Sequence, residues 1–324
     1  LQEQKQEHTM RIAVLDDYLK VAPNMAKWDS LNADVSFFSE YIQPAELAKT
    51  LEDFEVIVAM RERSAFPASV LKALPKLRLL VTTGMRNSSV DMEACRQQGI
   101  DVCGAPGDPR STGATAELAW SLLLALFKQI PKEATNMQQG LWQTTMPPTL
   151  EAKRLGLVGA GHLGQCVGRV GLAFGMEVVA WSPNLTEERA AKAGVKLVSK
   201  QELFATSDAI SVHMVLSDRS RGIVDAASLQ SMKSTAYLIN TSRAGLVDQA
   251  ALQKLLVEGK IGGAGIDVFD AEPLAATDAW RKTPRTLLTP HLGYVTPENF
   301  AIFYSNVVAD IQAWASGSPI RVLN

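Results

Sequence analysis

The chain has 324 residues, 47% of them hydrophobic and 20% charged, with a net charge of −2. That balance fits a globular protein long enough for two domains. It argues against nucleic-acid and membrane partners, because no basic block, acidic tail or apolar run of spanning length occurs. Residues 1–9 are polar and lack an apolar core, so no signal peptide is expected, and Met10 reads as an ancestral start.

Residues 11–15 predict a first buried strand that ends in Asp16 and Asp17. A second strand is expected at 35–38, a helix at 44–51 and a third strand at 56–60, followed at once by Arg61-Glu62-Arg63-Ser64. Open α/β sheets carry their ligand sites just past the carboxyl ends of strands. A solvated loop is the competing reading for Arg61 and Arg63 taken singly. A helix at 67–74 leads to a strand at 77–84, where Gly84 and Met85 offer backbone N–H groups suited to a small carboxylate. A helix up to Gln98 and a short strand at 100–103 complete this half. Gly104-Ala105-Pro106-Gly107-Asp108-Pro109 is a break fit for a domain crossing. After it, 114–128 is apolar on nearly every face and predicts a buried helix. Residues 130–150, with Trp142, Pro147 and Pro148, read either as a tucked surface segment or as an arm that grips a second subunit, with the arm favoured.

The stretch 155–164 is the centre of the second half. A short apolar run rises into Gly159-x-Gly161-x-x-Gly164, followed by a predicted helix at 165–175 and a strand at 176–181. Strand, glycine turn, helix and strand within about thirty residues form the context that makes such a motif a dinucleotide site. Gly159 permits the sharp turn, Gly161 the approach of a pyrophosphate, and Gly164 close helix–sheet packing. The helix start offers free N–H groups to phosphates, and His162 and Leu163 between the glycines are counted among the cofactor contacts. Further strands are expected at 195–197, 209–212, 236–240, 262–268 and 287–291, with helices at 227–232, 249–258 and 296–315. The last helix is expected to return to the N-terminal half. Cys95, Cys103 and Cys166 read as free thiols of a reducing cytoplasm, and four histidines without ligand spacing give no expected metal site.

Arg243, Glu272 and His291 each follow a strand of this half. Strand ends on one side of a parallel sheet converge, so distant residues can share a cleft. A nicotinamide carries a hydride, while the protein must supply a proton and hold the carbonyl. Histidine suits proton exchange near neutrality. A carboxylate beside it favours the imidazolium and fixes the ring. An arginine grips a carboxylate with two prongs and polarises the neighbouring oxygen.

With these residues in view, the sequence resembles the D-isomer-specific 2-hydroxyacid dehydrogenase family. The matching stretches are Gly159-Ala160-Gly161-His162-Leu163-Gly164, Leu238-Ile239-Asn240-Thr241-Ser242-Arg243-Ala244-Gly245, Gly265-Ile266-Asp267-Val268-Phe269-Asp270-Ala271-Glu272-Pro273 and Thr289-Pro290-His291-Leu292-Gly293. The resemblance implies two Rossmann-like or flavodoxin-like α/β domains with parallel sheets. The dinucleotide-binding domain, 108–295, would be inserted into a discontinuous substrate domain of 10–107 and 296–324, and the two would close over the cofactor. It implies a homodimer formed through the glycine-rich domain and its arm. It implies that Arg243 binds and polarises a small 2-oxo acid, that His291 exchanges the proton and that Glu272 is its partner. Gly84 and Met85 match the family's carboxylate-binding turn, with Arg61 and Arg86 as further substrate contacts. Asp267 matches a residue near the nicotinamide carboxamide, and His213 and Met214 lie where the family meets the adenosine. Thr241, Ser242 and Gly293 complete the expected cofactor contacts.

One departure concerns the second strand, which ends Trp181-Ser182-Pro183-Asn184 where an NAD site usually carries an acid. Losing that charge removes repulsion toward a 2′-phosphate, and Ser182 or Asn184 could bond to it. The cofactor is NADP or NAD, with NADP favoured. Arg63, Trp280 and Tyr294 are further candidates for the pocket wall. Two other readings remain: the same scaffold oxidising formate or phosphite, and a non-catalytic cofactor sensor like the family's transcriptional corepressors.

Overall fold

The computed structural model describes residues 9–324. The expectations for the N-terminal segment therefore lie, save for Thr9, outside the described residues. The chain forms two compact units. One runs through Pro109 and takes in Thr296–Asn324; the other is Arg110–Val295.

The first unit begins with β1 (Arg11–Val14), α1 (Ala22–Met25), β2 (Asp34–Phe37), α2 (Pro44–Leu51), β3 (Val56–Ala59), α3 (Ala68–Lys72), β4 (Leu79–Thr83), α4 (Met92–Gln97) and β5 (Asp101–Ala105). Its sheet is parallel, in the order β2-β1-β3-β4-β5. β3 and β4 are buried along their whole length, because crossover helices cover both faces of a parallel sheet. Local chemistry sets the helix starts: Pro44 opens α2, and the Asp91 carboxylate accepts the Ala94 N–H at 2.9 Å to cap α4.

The second unit holds α5 (Ser111–Phe127), α6 (Ile130–Gln138), β6 (Arg154–Val158), α7 (His162–Ala173), β7 (Glu177–Trp181), α8 (Glu187–Lys192), β8 (Lys196–Leu197), α9 (Lys200–Thr206), β9 (Ala209–Val212), α10 (Ala226–Gln230), β10 (Tyr237–Asn240), α11 (Gln249–Val257), β11 (Gly263–Ile266) and β12 (Thr286–Leu288). Its sheet is parallel, in the order β12-β11-β10-β9-β6-β7-β8. One apolar layer gathers Phe204, Leu238, Leu252 and Ile266. The other gathers Trp120, Leu123, Leu155 and Val178 beneath α5 and α7. The final helix, α12 (Pro297–Ala315), belongs to the first unit, where Phe303, Tyr304, Val307 and Ile311 are buried against β4 and β5.

Three differences from the expected elements have local causes. The helix after the glycine motif starts at His162 rather than at 165, because Gly161 is extended and acts as its N-cap, so Gly164 sits inside the first turn. α6 occupies the start of the segment expected to be a surface excursion or an arm, with Pro131 in its first turn. α8 and α9 were not anticipated. α9 carries a readable signal, since the Ser199 hydroxyl accepts the Glu202 N–H at 3.0 Å in an S-x-x-E pattern.

Candidate functional site

In the second unit, β6 lies beside β9, and the chain leaves these two strands in opposite directions across the sheet. The crevice at their carboxyl ends is the switch point where α/β sheets bind nucleotides. The glycine turn follows β6, and His213 follows β9. Gly159 adopts φ +101, and its N–H donates to the Trp181 carbonyl at 2.9 Å. A Cβ on Gly159 would come within 2.6 Å of the His213 carbonyl oxygen, and one on Gly164 would overlap the Gly159 carbonyl oxygen. Gly161, by contrast, faces open space, with nothing within 4 Å of a Cβ placed on it. Two glycines thus allow the turn to close on itself, and the third keeps its outer face bare.

A cavity of about 320 Å³ opens here, lined by Gly159, Gly161, Ser182, Pro183, Asn184, Arg189, His213, Met214 and Arg219 among others. His213 is buried, and burial pulls its imidazole down to about 4, so the ring is neutral at pH 7. Neither ring nitrogen has a hydrogen-bond partner among the described residues, and neither does the buried Thr241 hydroxyl. Buried polar atoms of this kind are usually satisfied. The His213 nitrogens share their cavity with the bare glycine turn, which fits a polar ligand such as a dinucleotide. Ser182 directly follows β7, and no acid lines the cavity. Arg219 escaped sequence reading, because it lies in an irregular loop with no motif around it.

Glu272, His291 and Arg243 come together in this unit. His291 Nδ1 lies 2.6 Å from Glu272 Oε2. The other carboxylate oxygen, Oε1, accepts the Phe269 N–H at 2.8 Å. Burial pushes the Glu272 carboxyl up. The hydrogen bond and charge of His291, the Phe269 N–H and the nearby Arg243 guanidinium outweigh that, and the net shift is downward. His291 has φ +53, a conformation that non-glycine residues adopt mainly where surroundings impose it. The imposition is visible. Asp267 Oδ1 accepts the Thr289 hydroxyl at 2.6 Å and the Leu292 N–H at 2.7 Å, while Oδ2 accepts the Gly293 N–H at 3.0 Å. Tyr294 meets the His291 ring edge-on, at 5.4 Å between centroids. Arg243 is aimed by its own turn: Asn240 accepts the Ser242 N–H at 3.0 Å and donates to the Arg243 carbonyl at 3.0 Å. The Ser242 hydroxyl donates to the Val212 carbonyl at 2.7 Å. Asn240, which holds this turn, was read in the sequence only as the end of a strand.

In the first unit, the carboxyl ends of β3 and β4 carry Arg61 and the 84–87 turn. Gly84 has φ +96, and a Cβ there would overlap the Arg61 guanidinium. The Gly84 N–H is not available to a ligand, because it donates to the Ala105 carbonyl at 2.5 Å. The N–H groups of Met85 and Arg86, which carry no hydrogen bond among the described residues, take its place as the offered donors. Asn87 pins the turn, donating to the Arg61 carbonyl at 2.6 Å and to the Thr82 hydroxyl at 2.9 Å. Arg63 is committed elsewhere: it donates to the Asp16 carbonyl at 3.0 Å and lies over the Tyr18 ring. Trp280 is no wall residue either. It is 6% exposed and packs in the core of the second unit against Phe269.

Comparison with known proteins adds to this geometry. The family model described as D-isomer specific 2-hydroxyacid dehydrogenase, NAD binding domain, matches residues 120–293. A hydroxypyruvate reductase from Thermotoga maritima is 34% identical over 266 residues, which are 80% of this chain and 84% of that protein. A D-3-phosphoglycerate dehydrogenase from Archaeoglobus fulgidus is 32% identical over 278 residues, 85% of this chain but 52% of the relative, so the chain spans about half the length of that protein. Among solved structures, a phosphoglycerate oxidoreductase from Vibrio cholerae O395 matches with a TM-score of 0.89 at 31% identity, covering 95% of this chain and 100% of that one.

Proposed function

Because the chain belongs to the D-isomer-specific 2-hydroxyacid dehydrogenase family, we propose that it interconverts a small 2-oxo acid and the corresponding D-2-hydroxy acid with a nicotinamide dinucleotide. The observation that carries this reading is the 2.6 Å contact between His291 Nδ1 and Glu272 Oε2, in the same unit as the bare glycine turn. The bound dinucleotide supplies the hydride for reduction and accepts it in oxidation. The chain's residues do the rest. With Nδ1 turned to Glu272, His291 exchanges the substrate proton at Nε2, giving it to the C2 oxygen in reduction and taking it back in oxidation. Glu272 keeps the ring in one orientation and balances its charge. Arg243 holds the substrate carboxylate and polarises the C2 oxygen. The N–H groups of Met85 and Arg86, with Arg61, form the carboxylate-holding element of the first unit. Gly159, Gly161, His162, Leu163 and Gly164 receive the pyrophosphate. Ser182, Pro183, Asn184, His213 and Met214 flank the adenosine, while Thr241, Ser242, Asp267 and Gly293 flank the nicotinamide side.

We further propose a homodimer built on the second unit and a cytoplasmic setting, which suits the three free thiols. No helix among the described residues is long and apolar enough to cross a membrane.

The test is consumption of reduced cofactor with glyoxylate, pyruvate or hydroxypyruvate. Turnover of at least one acid, abolished in His291→Asn, is expected. Cofactor binding without turnover over a broad panel of acids would replace this reading with a sensor.

A further inference from the structure

The cavity at the end of β7 has a charge pattern that the reaction itself does not require. Its lining carries Arg189 and Arg219 and no carboxylate. Asp218, Glu187 and Glu188 are neighbours in sequence but do not line it, and Glu188 is occupied by Lys192 at 2.7 Å. Neither arginine has an ion-pair partner among the described residues. Both are carried on fixed backbone. The Arg189 N–H caps onto the Thr186 hydroxyl at 3.3 Å, and its guanidinium donates to the Asn184 carbonyl at 3.0 Å, which draws it over the end of β7. Arg219 sits in a turn tied by Ser220, whose buried hydroxyl accepts the Ser217 N–H at 2.8 Å and donates to the Val215 carbonyl at 2.7 Å.

A ribose with two free hydroxyls is best met by a carboxylate, which accepts from both. Ser182 is too short for that and brings no charge. Two guanidinium groups around a serine instead suit an anion of charge near −2, for which arginine offers planar, charge-assisted donors. The unpartnered ring nitrogens of buried His213 in the same cavity are a second, independent sign that a polar ligand completes it. We propose that this cavity is a 2′-phosphate site, that Arg219 and Arg189 are the residues that select NADP(H) over NAD(H), and that Ser182 admits the phosphate by carrying no charge. The inference rests on the reading of the chain as a nicotinamide-dependent dehydrogenase and specifies which dinucleotide that enzyme uses.

The experiment measures dissociation constants of the whole chain for 2′,5′-ADP and 5′-ADP by calorimetry, without turnover. The wild type should bind 2′,5′-ADP at least tenfold more tightly. Arg219→Ala and Arg189→Ala should each weaken 2′,5′-ADP by about tenfold, the scale of one hydrogen bond to a charged group, and leave 5′-ADP unchanged. Unchanged 5′-ADP binding also reports that the variants are folded. Ser182→Asp should reverse the preference. Equal affinity of the wild type for the two probes, or an unaltered ratio in Arg219→Ala, overturns the inference while the dehydrogenase reading stands. Binding of neither probe overturns both.

Discussion

Glu272 commits both carboxylate oxygens, one to the His291 ring and one to the Phe269 N–H, so its side chain has no rotational freedom left to lose on substrate binding. Glu272→Gln keeps the shape but removes the charge that balances a protonated ring. We expect kcat to fall by about a hundredfold, the lower range for a group serving proton transfer, with the KM for the 2-oxo acid nearly unchanged. Steady-state kinetics would refute the assigned role if KM rose while kcat held. Asp267 is a different case. It accepts three hydrogen bonds from the segment that carries His291, and an asparagine would turn a donor toward one of those donors. Asp267→Asn should lower stability by about 1–3 kcal/mol, the cost of a buried unmet polar group, and reduce kcat along with it; a normal melting temperature with normal kcat would remove Asp267 from the account. Arg243, Glu272 and His291 could be singled out in the sequence because each follows a strand and its chemistry is distinctive; the contact between His291 and Glu272 could not be read there. Asn240 and Arg219 were not, because their roles depend on which carbonyl or cavity lies opposite them in space. The Gly84 N–H was misjudged for the same reason: its acceptor, Ala105, comes from a neighbouring strand.

Among elements, α7 depends most on a single atom's absence. Gly164 lies in its first turn, and a methyl group there would strike the Gly159 carbonyl, which is backbone and cannot step aside. Gly164→Ala should therefore weaken dinucleotide binding by more than tenfold, read from the fluorescence of bound reduced cofactor. Retained affinity would show that the turn relaxes at little cost. The segment from α6 to Leu150 poses another question. Trp142 is 73% exposed and Met146 97%, an unusual display for large apolar groups. If a second copy covers them, a Trp142→Glu/Met146→Glu double variant should sediment as a monomer where the wild type sediments as a dimer; identical sedimentation would end that proposal. The strands of both sheets were readable as short apolar runs between turns. Short helices such as α8 and α9, with six and seven residues, carry too few periods to show an amphipathic pattern and are marked only by their caps.

For the whole molecule, the C-terminal segment is a fastening. Asp310 on α12 is fully buried, and its Oδ1 receives Arg321 Nε at 2.8 Å. Burial raises the Asp310 carboxyl to about 6 even with Arg321 opposing it. The folded state therefore holds this proton more tightly than the unfolded chain does. Its contribution to stability is full below the ordinary aspartate value and is lost as pH rises toward about 6, by about 3 kcal/mol at roughly 1.4 kcal/mol per pH unit. Asp310→Asn should flatten that slope in urea unfolding, and an identical pH dependence in variant and wild type would refute the assignment. The chain leaves the first unit after Pro109 and re-enters it at Thr296, so the helix that covers β4 and β5 is made after the whole of the second unit. On the ribosome, the earliest strands would emerge without their lid and wait through the synthesis of an entire second unit, which is contiguous and can fold meanwhile. A nascent chain halted before Thr296 should accordingly resist protease from Arg110 onward and be cut freely ahead of it.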